Sequence, residues 1–188
     1  MDYYKQNDPR WGHLKINGTS STMAQKGCFI TCLAMLKQIT PDQCLKRLED
    51  GGAFNKDLII STKACEVLGL TFNGLEDIFG RTQDRPKYNC IAECDSSSVA
   101  GVQQHFVIAL ANGWFVDSLT GEKTKNLPYK ILNYRQIRNL AYETILELKD
   151  AWVCADNLIR EDMDKTDRAR CTRIKLVCGE TANYLRTL

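Results

Sequence analysis

The sequence predicts an α+β domain followed by a helical extension, and three observations support this class. Apolar residues at helical spacing dominate the early part of the chain, whereas strand-like segments and a clear hairpin occupy the middle. Helical spacing returns from about residue 139 onward. Helices that precede antiparallel strands favour a domain whose helices and sheet are segregated. We therefore expect a domain over residues 1–138 and a helical extension over residues 139–188.

The first helix is expected to begin at Cys28, directly after Gly27. Phe29, Leu33 and Leu36 recur at three- to four-residue spacing after it, which places them on one helix face. The predicted helix therefore carries a cysteine in its first turn.

Two further helices are predicted before the first strand. Thr40 is suited to the N-cap, Pro41 to the first helical position and Gln43 to a capping box, and Gly51-Gly52 ends this helix. The third helix is expected over residues 57–68, where a glycine follows.

The middle of the chain reads as a set of short strands. They are expected at residues 70–73, 88–94 and 130–134, with the clearest pair forming a hairpin over residues 105–117. Asn112-Gly113 suits the positive φ angles of a two-residue hairpin turn. These segments predict an antiparallel sheet.

The extension is expected to contain two helices, arranged as a hairpin, that pack on the main domain or present a seam to a protein partner. Two apolar stripes at helical spacing support them. The first stripe is Ile145, Leu148, Trp152, Ala155 and Ile159, and the second is Ile174, Cys178, Thr181 and Leu185.

Composition limits the kinds of partner. The chain has 188 residues, of which 44% are hydrophobic and 26% charged, with a formal net charge of +2. This is typical of a globular domain that can bury a core, and it argues against duplex DNA as a partner. A small basic cluster near the C-terminus reads as the solvated face of a helix, so no nucleic-acid partner is expected.

The location of the chain is expected to be cytoplasmic as synthesised. The N-terminus has no apolar signal segment, and no apolar run approaches the roughly 18 residues that span a bilayer, so no membrane partner is expected. Thiols stay reduced in the cytosol, so most of the nine cysteines are interpreted as small buried apolar residues.

Cys28 is the candidate nucleophile. A thiol reacts as the thiolate, and the partial positive charge at a helix N-terminus together with a nearby imidazolium favours that form. Gly27 permits a tight entry that leaves the sulfur exposed at the helix start. Cys32 lies one turn further on the same face, where packing in the core is the preferred interpretation.

His105 is the candidate base and Asp117 the residue that orients it. A general base needs a fixed tautomer, which a carboxylate on the second ring nitrogen provides. In a hairpin that turns at Asn112-Gly113 the two side chains become diagonal neighbours on adjacent strands. The only other histidine, His13, lies in an irregular segment and has less support.

A thiol hydrolase also needs donors for the oxyanion of its tetrahedral intermediate. The backbone N–H of Cys28 is one candidate. A glutamine amide is the usual second donor in thiol proteases, and both Gln6 and Gln25 precede the cysteine. From the residues alone the choice between them stays open.

Several separated blocks of the chain, in the right order over about residues 3–138, resemble the C39-like family of papain-fold cysteine peptidases. The matching residues are Gln6, Asp8-Pro9, Trp11, Gly27-Cys28, Ala34-Met35, His105-Phe106-Val107-Ile108 and Asp117-Ser118-Leu119-Thr120-Gly121. The resemblance implies a papain-like fold with Cys28 as nucleophile, His105 as base, Asp117 as orienting residue and Gln6 as oxyanion donor. We expect no cofactor and no metal.

The chain departs from that family at three places. Phe29-Ile30 follow the nucleophile where relatives often have Gly-Pro, Gln104 precedes the histidine where they often have glycine, and Ser118 follows Asp117 where they often have proline. None of these changes removes a catalytic group. The helical extension has no counterpart in the resemblance.

The resemblance implies cleavage of peptide bonds, with a peptide or a peptidoglycan peptide as substrate. A short chain with no signal segment fits a phage-type cell-wall hydrolase that is virion-associated or released to the wall, and it equally fits a cytosolic processing protease.

Two other readings compete with the peptidase. Cys28-x3-Cys32 and Cys90-x3-Cys94 have spacings compatible with zinc, although the second pair would lie about 13 Å apart on an extended strand. The alternative function is a non-catalytic, papain-like peptide-binding or virion adaptor module that docks through its helical tail.

Overall fold

The computed structural model describes residues 2–77, 86, 88–96, 102–158 and 165–185, and within them the chain forms six helices and eight strands. The chain divides into two compact units, Met1–Arg138 and Asn139–Leu188. The helices of the first unit are α1 (Met23–Lys26), α2 (Cys28–Lys37), α3 (Pro41–Asp50) and α4 (Ser61–Leu68). Its strands are β1 (Phe54–Asn55), β2 (Leu58–Ile59), β3 (Thr71–Asp77), β4 (Cys90–Ser96), β5 (Val102–Ala109), β6 (Phe115–Asp117), β7 (Lys123–Thr124) and β8 (Lys130–Arg138). The second unit contains α5 (Leu140–Leu158) and α6 (Lys165–Leu185).

The first unit is an α+β domain built on one antiparallel sheet, as the sequence predicts. The six strands lie in the order β3-β8-β4-β5-β6-β7, and β1 and β2 form a separate two-stranded ribbon. Strand β8 comes last in the sequence and yet lies between β3 and β4. The specific papain-like arrangement stays a prediction.

Helix α2 begins at Cys28, as predicted, and Gly27 explains why it can. A Cβ atom at Gly27 would collide with the carbonyl oxygen of Met23 in the preceding turn, so α1 and α2 join closely only through glycine. The burial of α2 is broader than the predicted stripe, because every residue over 29–36 is buried. The helix is therefore a central element of the core, and its first residue, Cys28, is only partly buried.

The other two predicted helices differ in outcome. Helix α3 has the predicted capping box, with Thr40 at the N-cap and Gln43 bonded back to it, and it ends at Gly51. The predicted start of the third helix at residue 57 is wrong, because the ribbon β1–β2 occupies residues 54–59 and α4 begins at Ser61.

All the predicted strands are present, but the predicted two-residue turn at Asn112-Gly113 is wrong. In the hairpin, Val107 pairs with Asp117 and Ala109 with Phe115, so the strands end before a five-residue connection. Within it Gly113 has a φ of 79°, whereas Asn112 has an ordinary negative φ. The Leu110 N–H donates to Trp114 O in the same register, so the turn itself holds the three residues 111–113 and is centred on Asn112.

The central strands have an apolar core on each face, because successive side chains alternate across a strand. We call the side packed by helix α2 the helix face and the other side the far face. The buried residues of the helix face are Ile91, Phe106, Ile108, Val116 and Ile137. Those of the far face are Cys90, Ala92, Cys94, Val107, Ala109, Tyr129 and Tyr134.

A cluster of polar side chains on the helix face centres on the Glu93 carboxylate. Oε1 of Glu93 accepts a hydrogen bond from Gln104 (2.6 Å), and Oε2 accepts from Asn133 (3.0 Å) and from the guanidinium of Arg135 (2.9 Å). Arg135 also donates to the hydroxyl of Ser61 at the start of α4 (3.0 Å). We call these residues the Glu93 cluster; it connects three strands to a helix.

The second unit is a pair of helices with a small buried seam. Ile145 of α5 and Cys178 and Ala182 of α6 are buried, and the Lys175 ammonium lies 4.5 Å from the ring centroid of Trp152. Other members of the two predicted stripes are exposed, Ile174 by 47% and Trp152 by 40%. Of the first predicted stripe, the side chains of Ala155 and Ile159 lie outside what the structure describes.

No helix among the described residues has the length and apolar character needed to cross a membrane.

Candidate active site

His105 and Asp117 meet on the far face of the sheet. Because Val107 pairs with Asp117, His105 lies two residues further along β5 on the same face, diagonal to the carboxylate. The imidazole Nε2 and Asp117 Oδ1 are 2.8 Å apart, and both side chains are more than nine-tenths buried. The structure therefore places together the pair that the sequence predicts as diagonal neighbours.

Three donors hold the Asp117 carboxylate. Besides His105, the backbone N–H of Leu119 donates to Oδ1 (2.8 Å), and the hydroxyl of Tyr129 donates to Oδ2 (3.0 Å). A carboxylate with this many hydrogen bonds is stabilised as the anion. Its position, and that of the imidazole bonded to it, is closely defined.

Cys28 completes a thiol–imidazole–carboxylate arrangement. Its side chain, in the first turn of α2, lies near enough to His105 that hydrogen bonding between the two groups raises the pKa of the imidazole. Because Nε2 is engaged by Asp117, Nδ1 is the ring nitrogen left for the thiol. The imidazole thus joins Cys28 on a helix to Asp117 on a neighbouring strand.

The electrostatics of the site favour an imidazolium. Burial alone lowers the pKa of His105, but its hydrogen bonds to Asp117 and Cys28 and the negative charges of those groups outweigh burial and raise the pKa to about 9. Burial alone raises the pKa of Asp117, but the hydrogen bonds from His105, Leu119 and Tyr129 lower it below the ordinary value. Both effects stabilise a charged pair, as expected for a buried histidine next to a carboxylate.

Two other cysteines near the site are poorly suited to act as nucleophiles. Cys32 is fully buried, and burial raises its pKa well above the ordinary value. Cys94 pairs with His105 across β4 and β5, and burial together with the nearby Asp117 raises its pKa to about 12. Both thiols stay protonated at neutral pH, which makes them unreactive.

The structure distinguishes the two candidate oxyanion glutamines. Gln6 is 4% exposed, its backbone N–H donates to Ser118 O (2.7 Å), and its amide Nε2 donates to Ala24 O (2.9 Å). Gln25 is exposed, and its amide oxygen accepts from Thr22 to cap α1. Gln6 is therefore the glutamine held between the helix entry and the turn after Asp117.

The side-chain amide of Gln6 does not use all of its hydrogen-bonding groups among the described residues. Nε2 carries two hydrogens, one of which is engaged by Ala24 O, and Oε1 is buried without a hydrogen-bond partner in the part of the chain that the structure describes. A buried polar atom without a partner is uncommon in folded proteins. Thr31 Oγ1, Asn133 Oδ1 and Arg135 Nε are the other such atoms among the described residues.

Ser118 ties the turn after Asp117 to the strand of His105. Its hydroxyl donates to the carbonyl oxygen of Phe106 (2.7 Å), and its own carbonyl accepts the Gln6 N–H. Ser118 therefore fixes this turn by hydrogen bonds.

Other predicted candidates lie elsewhere. His13 is exposed, with Nδ1 3.2 Å from Pro9 O. Among the residues that the structure describes, no three His, Cys, Asp or Glu side chains come together in a way that could hold a metal ion.

Sequence reasoning missed Tyr129. The predicted strand starts at Lys130, as β8 does, so Tyr129 lies just before it. A single tyrosine next to a strand carries no sequence signal of a contact across the sheet. Only the placement of β8 beside β4 brings it to Asp117.

Comparison of the chain with protein-family models, with curated proteins and with solved structures finds no match. The functional argument therefore depends on the geometry of the site.

Proposed function

We propose that the protein is a cysteine peptidase in which Cys28 is the nucleophile, His105 the general base and acid, and Asp117 the orienting carboxylate. One observation carries the proposal: a buried imidazole is hydrogen-bonded to Asp117 through Nε2, and the Cys28 thiol lies close enough to the same ring to raise its pKa. This is the geometry that transfers a proton between a thiol and a leaving group.

The first half-reaction follows from these positions. The Cys28 thiol gives its proton to His105, and its sulfur attacks the carbonyl carbon of a peptide bond while the carbonyl electrons move to oxygen. When this oxyanion collapses, the C–N bond breaks and the leaving amine takes the proton from His105. The product is a thioester on Cys28 and a free amine.

The second half-reaction restores the enzyme. Water loses a proton to His105 and attacks the thioester carbon. The C–S bond breaks, the acid product leaves, and the sulfur recovers the proton. Asp117 keeps the imidazole oriented and stabilises its charged form in both halves, as in other nucleophile–histidine–carboxylate sites.

The oxyanion is assigned to donors at the entry of α2. The first N–H groups of a helix have no acceptor within the helix, so the N–H of Cys28 is suited to this task. Gln6 is the proposed second donor, supported by its burial, its attachment to Ala24 next to the helix entry and the second hydrogen on its amide. Gln25 is the less favoured candidate, because its side chain is exposed and its amide oxygen caps α1.

The substrate class is proposed from the resemblance to C39-like papain-fold peptidases: peptides, including those of the bacterial cell wall. That resemblance also motivates the papain-like fold assignment and a phage or bacterial setting.

The test is alkylation of the native protein by iodoacetamide, followed at each cysteine by mass spectrometry. Cys154 is exposed and Cys171 partly exposed, so the parent protein carries Cys154→Ser and Cys171→Ser to remove their background. We expect rapid labelling of Cys28, no labelling at this position in Cys28→Ala, and a rate at least 100-fold lower in His105→Ala. His13→Ala is the matched control and should leave the rate unchanged.

Activity is then measured on a peptide library and on purified peptidoglycan with the same variants. Slow labelling of Cys28 that His105→Ala leaves unchanged would contradict the peptidase and favour the non-catalytic binding module. Hydrolysis that persists in Cys28→Ala would contradict the assigned nucleophile.

A further inference from the structure

Tyr129 makes two different contacts with the site. Its hydroxyl donates to Asp117 Oδ2 at 3.0 Å, and its ring meets the His105 ring edge-on, with centroids 5.1 Å apart and planes at 69°. The tyrosine is 8% exposed and directly precedes β8, which is separated from β5 by β4. One side chain therefore contacts both members of the imidazole–carboxylate pair.

The hydroxyl contact controls the orientation of the carboxylate. Oδ1 of Asp117 already accepts from His105 and from the Leu119 N–H, whereas Oδ2 is held by Tyr129. Without a donor at Oδ2, the carboxylate is free to rotate about its Cβ–Cγ bond and lengthen the contact to Nε2. A hydrogen bond to a charged acceptor is stronger than one between neutral groups, so this anchor is a firm one.

The ring contact controls the orientation of the imidazole. An edge-to-face pair restricts how far either ring turns about its χ2 angle. Nδ1 stays directed at Cys28 only while the imidazole plane is fixed, because Nδ1 and Nε2 must meet Cys28 and Asp117 at the same time. The ring also contributes to the burial of His105, whose side chain is 9% exposed.

We propose that Tyr129 is a positioning residue for the Cys28–His105 pair, with its hydroxyl fixing the Asp117 carboxylate and its ring fixing the plane of His105. This inference rests on the proposed function. It assigns a role to a residue outside every block of the family resemblance. Burial next to Asp117 raises the pKa of Tyr129 to about 12, so its hydroxyl remains a donor over the whole working pH range.

The titratable groups around this pair are all on neighbouring elements. Cys28 and Cys32 approach from α2, Cys94 from β4 and Tyr129 from the segment before β8. Cys32 and Cys94 stay neutral because burial raises their pKa values. Shifts in the pH profile of Tyr129 variants therefore do not come from Cys32 or Cys94.

The experiment compares Tyr129→Phe, which removes only the hydroxyl, with Tyr129→Leu, which also removes the ring. Both are made in the Cys154→Ser, Cys171→Ser parent. The first readout is the rate of alkylation of Cys28 by iodoacetamide as a function of pH. The second is NMR titration of the His105 ring protons, with the exposed His13 as an internal reference. The matched control is Tyr134→Phe, which removes a hydroxyl from another buried tyrosine of the far face.

In Tyr129→Phe we expect the alkylation rate at pH 7 to fall about ten-fold, the effect of losing one hydrogen bond to a charged group. The acid limb of the pH profile should move to higher pH, because the Asp117 anion loses a donor that stabilises it. In Tyr129→Leu the rate should fall further, and the pKa of His105 should move down toward its ordinary value as water enters. Tyr134→Phe should change neither the rate nor the profile.

Two results separate the inference from the proposed function. If Cys28 reacts rapidly in the parent and the Tyr129 variants keep its rate and pH profile, the positioning role is wrong and the proposed function stands, whatever happens to thermal stability. If Cys28 is unreactive in the parent, the proposed function fails, and the His105 titration alone then decides whether Tyr129 orients the pair.

Discussion

Two carboxylates on the same sheet, the buried Asp117 and the largely buried Glu93, have similar hydrogen bonding and very different surroundings. Each accepts hydrogen bonds from three donors that use both of its oxygens. Asp117 lies on the far face and Glu93 on the helix face, in strands that pair with β5. Their partners occupy adjacent positions of that strand, His105 for Asp117 and Gln104 for Glu93.

The two carboxylates differ in whether their hydrogen-bond partners can gain and lose a proton. Arg135 is permanently charged, and Gln104 and Asn133 do not titrate, so the Glu93 cluster has a fixed charge state at every working pH. The charged partner of Asp117 is an imidazole, which gains and loses a proton and contacts a thiol with its second nitrogen. A fully bonded buried carboxylate is therefore not by itself evidence of a functional site; a titratable partner with a second contact is.

The largest effect should come from removing the carboxylate on the far face. We expect Asp117→Ala to lower the alkylation rate of Cys28 at pH 7 by about 100-fold, because the imidazole loses both its orientation and its charge stabilisation. Asp117→Asn, which keeps the shape and a hydrogen bond, should retain more of the rate. Circular dichroism checks that both variants are folded, and a folded Asp117→Ala protein with the parent's rate would remove Asp117 from the site.

Removing the carboxylate charge of Glu93 on the helix face should lower the free energy of unfolding and leave the alkylation rate of Cys28 nearly unchanged. We expect Glu93→Gln to lower the free energy of unfolding by about 3 kcal/mol, because it leaves the Arg135 charge partly buried without its partner. Urea denaturation measures this loss. The alkylation rate of Cys28 in the folded protein should stay within about three-fold of the parent.

The control is Glu93→Gln combined with Arg135→Gln, which removes both charges and should recover part of the lost stability. If Glu93→Gln instead slows alkylation as strongly as Asp117→Ala does, the two faces are not functionally distinct and the comparison fails.

The smallest expected effect is in the pH dependence of stability. The pKa of His105 is raised from 6.5 to about 9, so its contribution to stability is complete below about pH 6.5 and is lost as the pH rises through about 9. Asp117 has a lowered pKa, so its contribution is present above its ordinary pKa of 3.8 and is lost as the pH falls through the lowered value. The far-face pair should therefore be most stabilising between about pH 4 and 6.5.

We expect the parent to lose on the order of 2 kcal/mol of stability from this pair between pH 6.5 and 9.5. His105→Gln should lose much less over the same interval, and His13→Gln should follow the parent. Urea denaturation at several pH values measures the difference. Equal pH dependence in the parent and His105→Gln would mean that the imidazole does not carry the titration.

Sequence reasoning succeeded where the signal is local. The cap formed by Thr40 and Gln43 depends on residues within one helical turn, and α3 forms as expected. The diagonal placement of His105 and Asp117 follows from a short hairpin, and it survives even though the turn itself is longer than expected.

It failed where distant segments decide the structure. The third helix is predicted to start at residue 57, but residues 54–59 form the paired strands β1 and β2, and α4 begins only after them. Strand β8 inserts between β3 and β4, and no local pattern indicates such a strand order. Tyr129 reaches Asp117 only because of that insertion, so the residues next to Tyr129 in the sequence do not indicate its role.

The attachment of Gln6 has a consequence for hydrogen exchange. Its backbone N–H is bonded to Ser118 O and its side chain to Ala24 O, so Gln6 is held by two segments that are distant in sequence. A backbone amide hydrogen that is bonded in this way exchanges with solvent only after the bond opens. The Gln6 N–H therefore exchanges only when the turn after Asp117 separates from it, and its protection reports whether the three segments around the site are assembled.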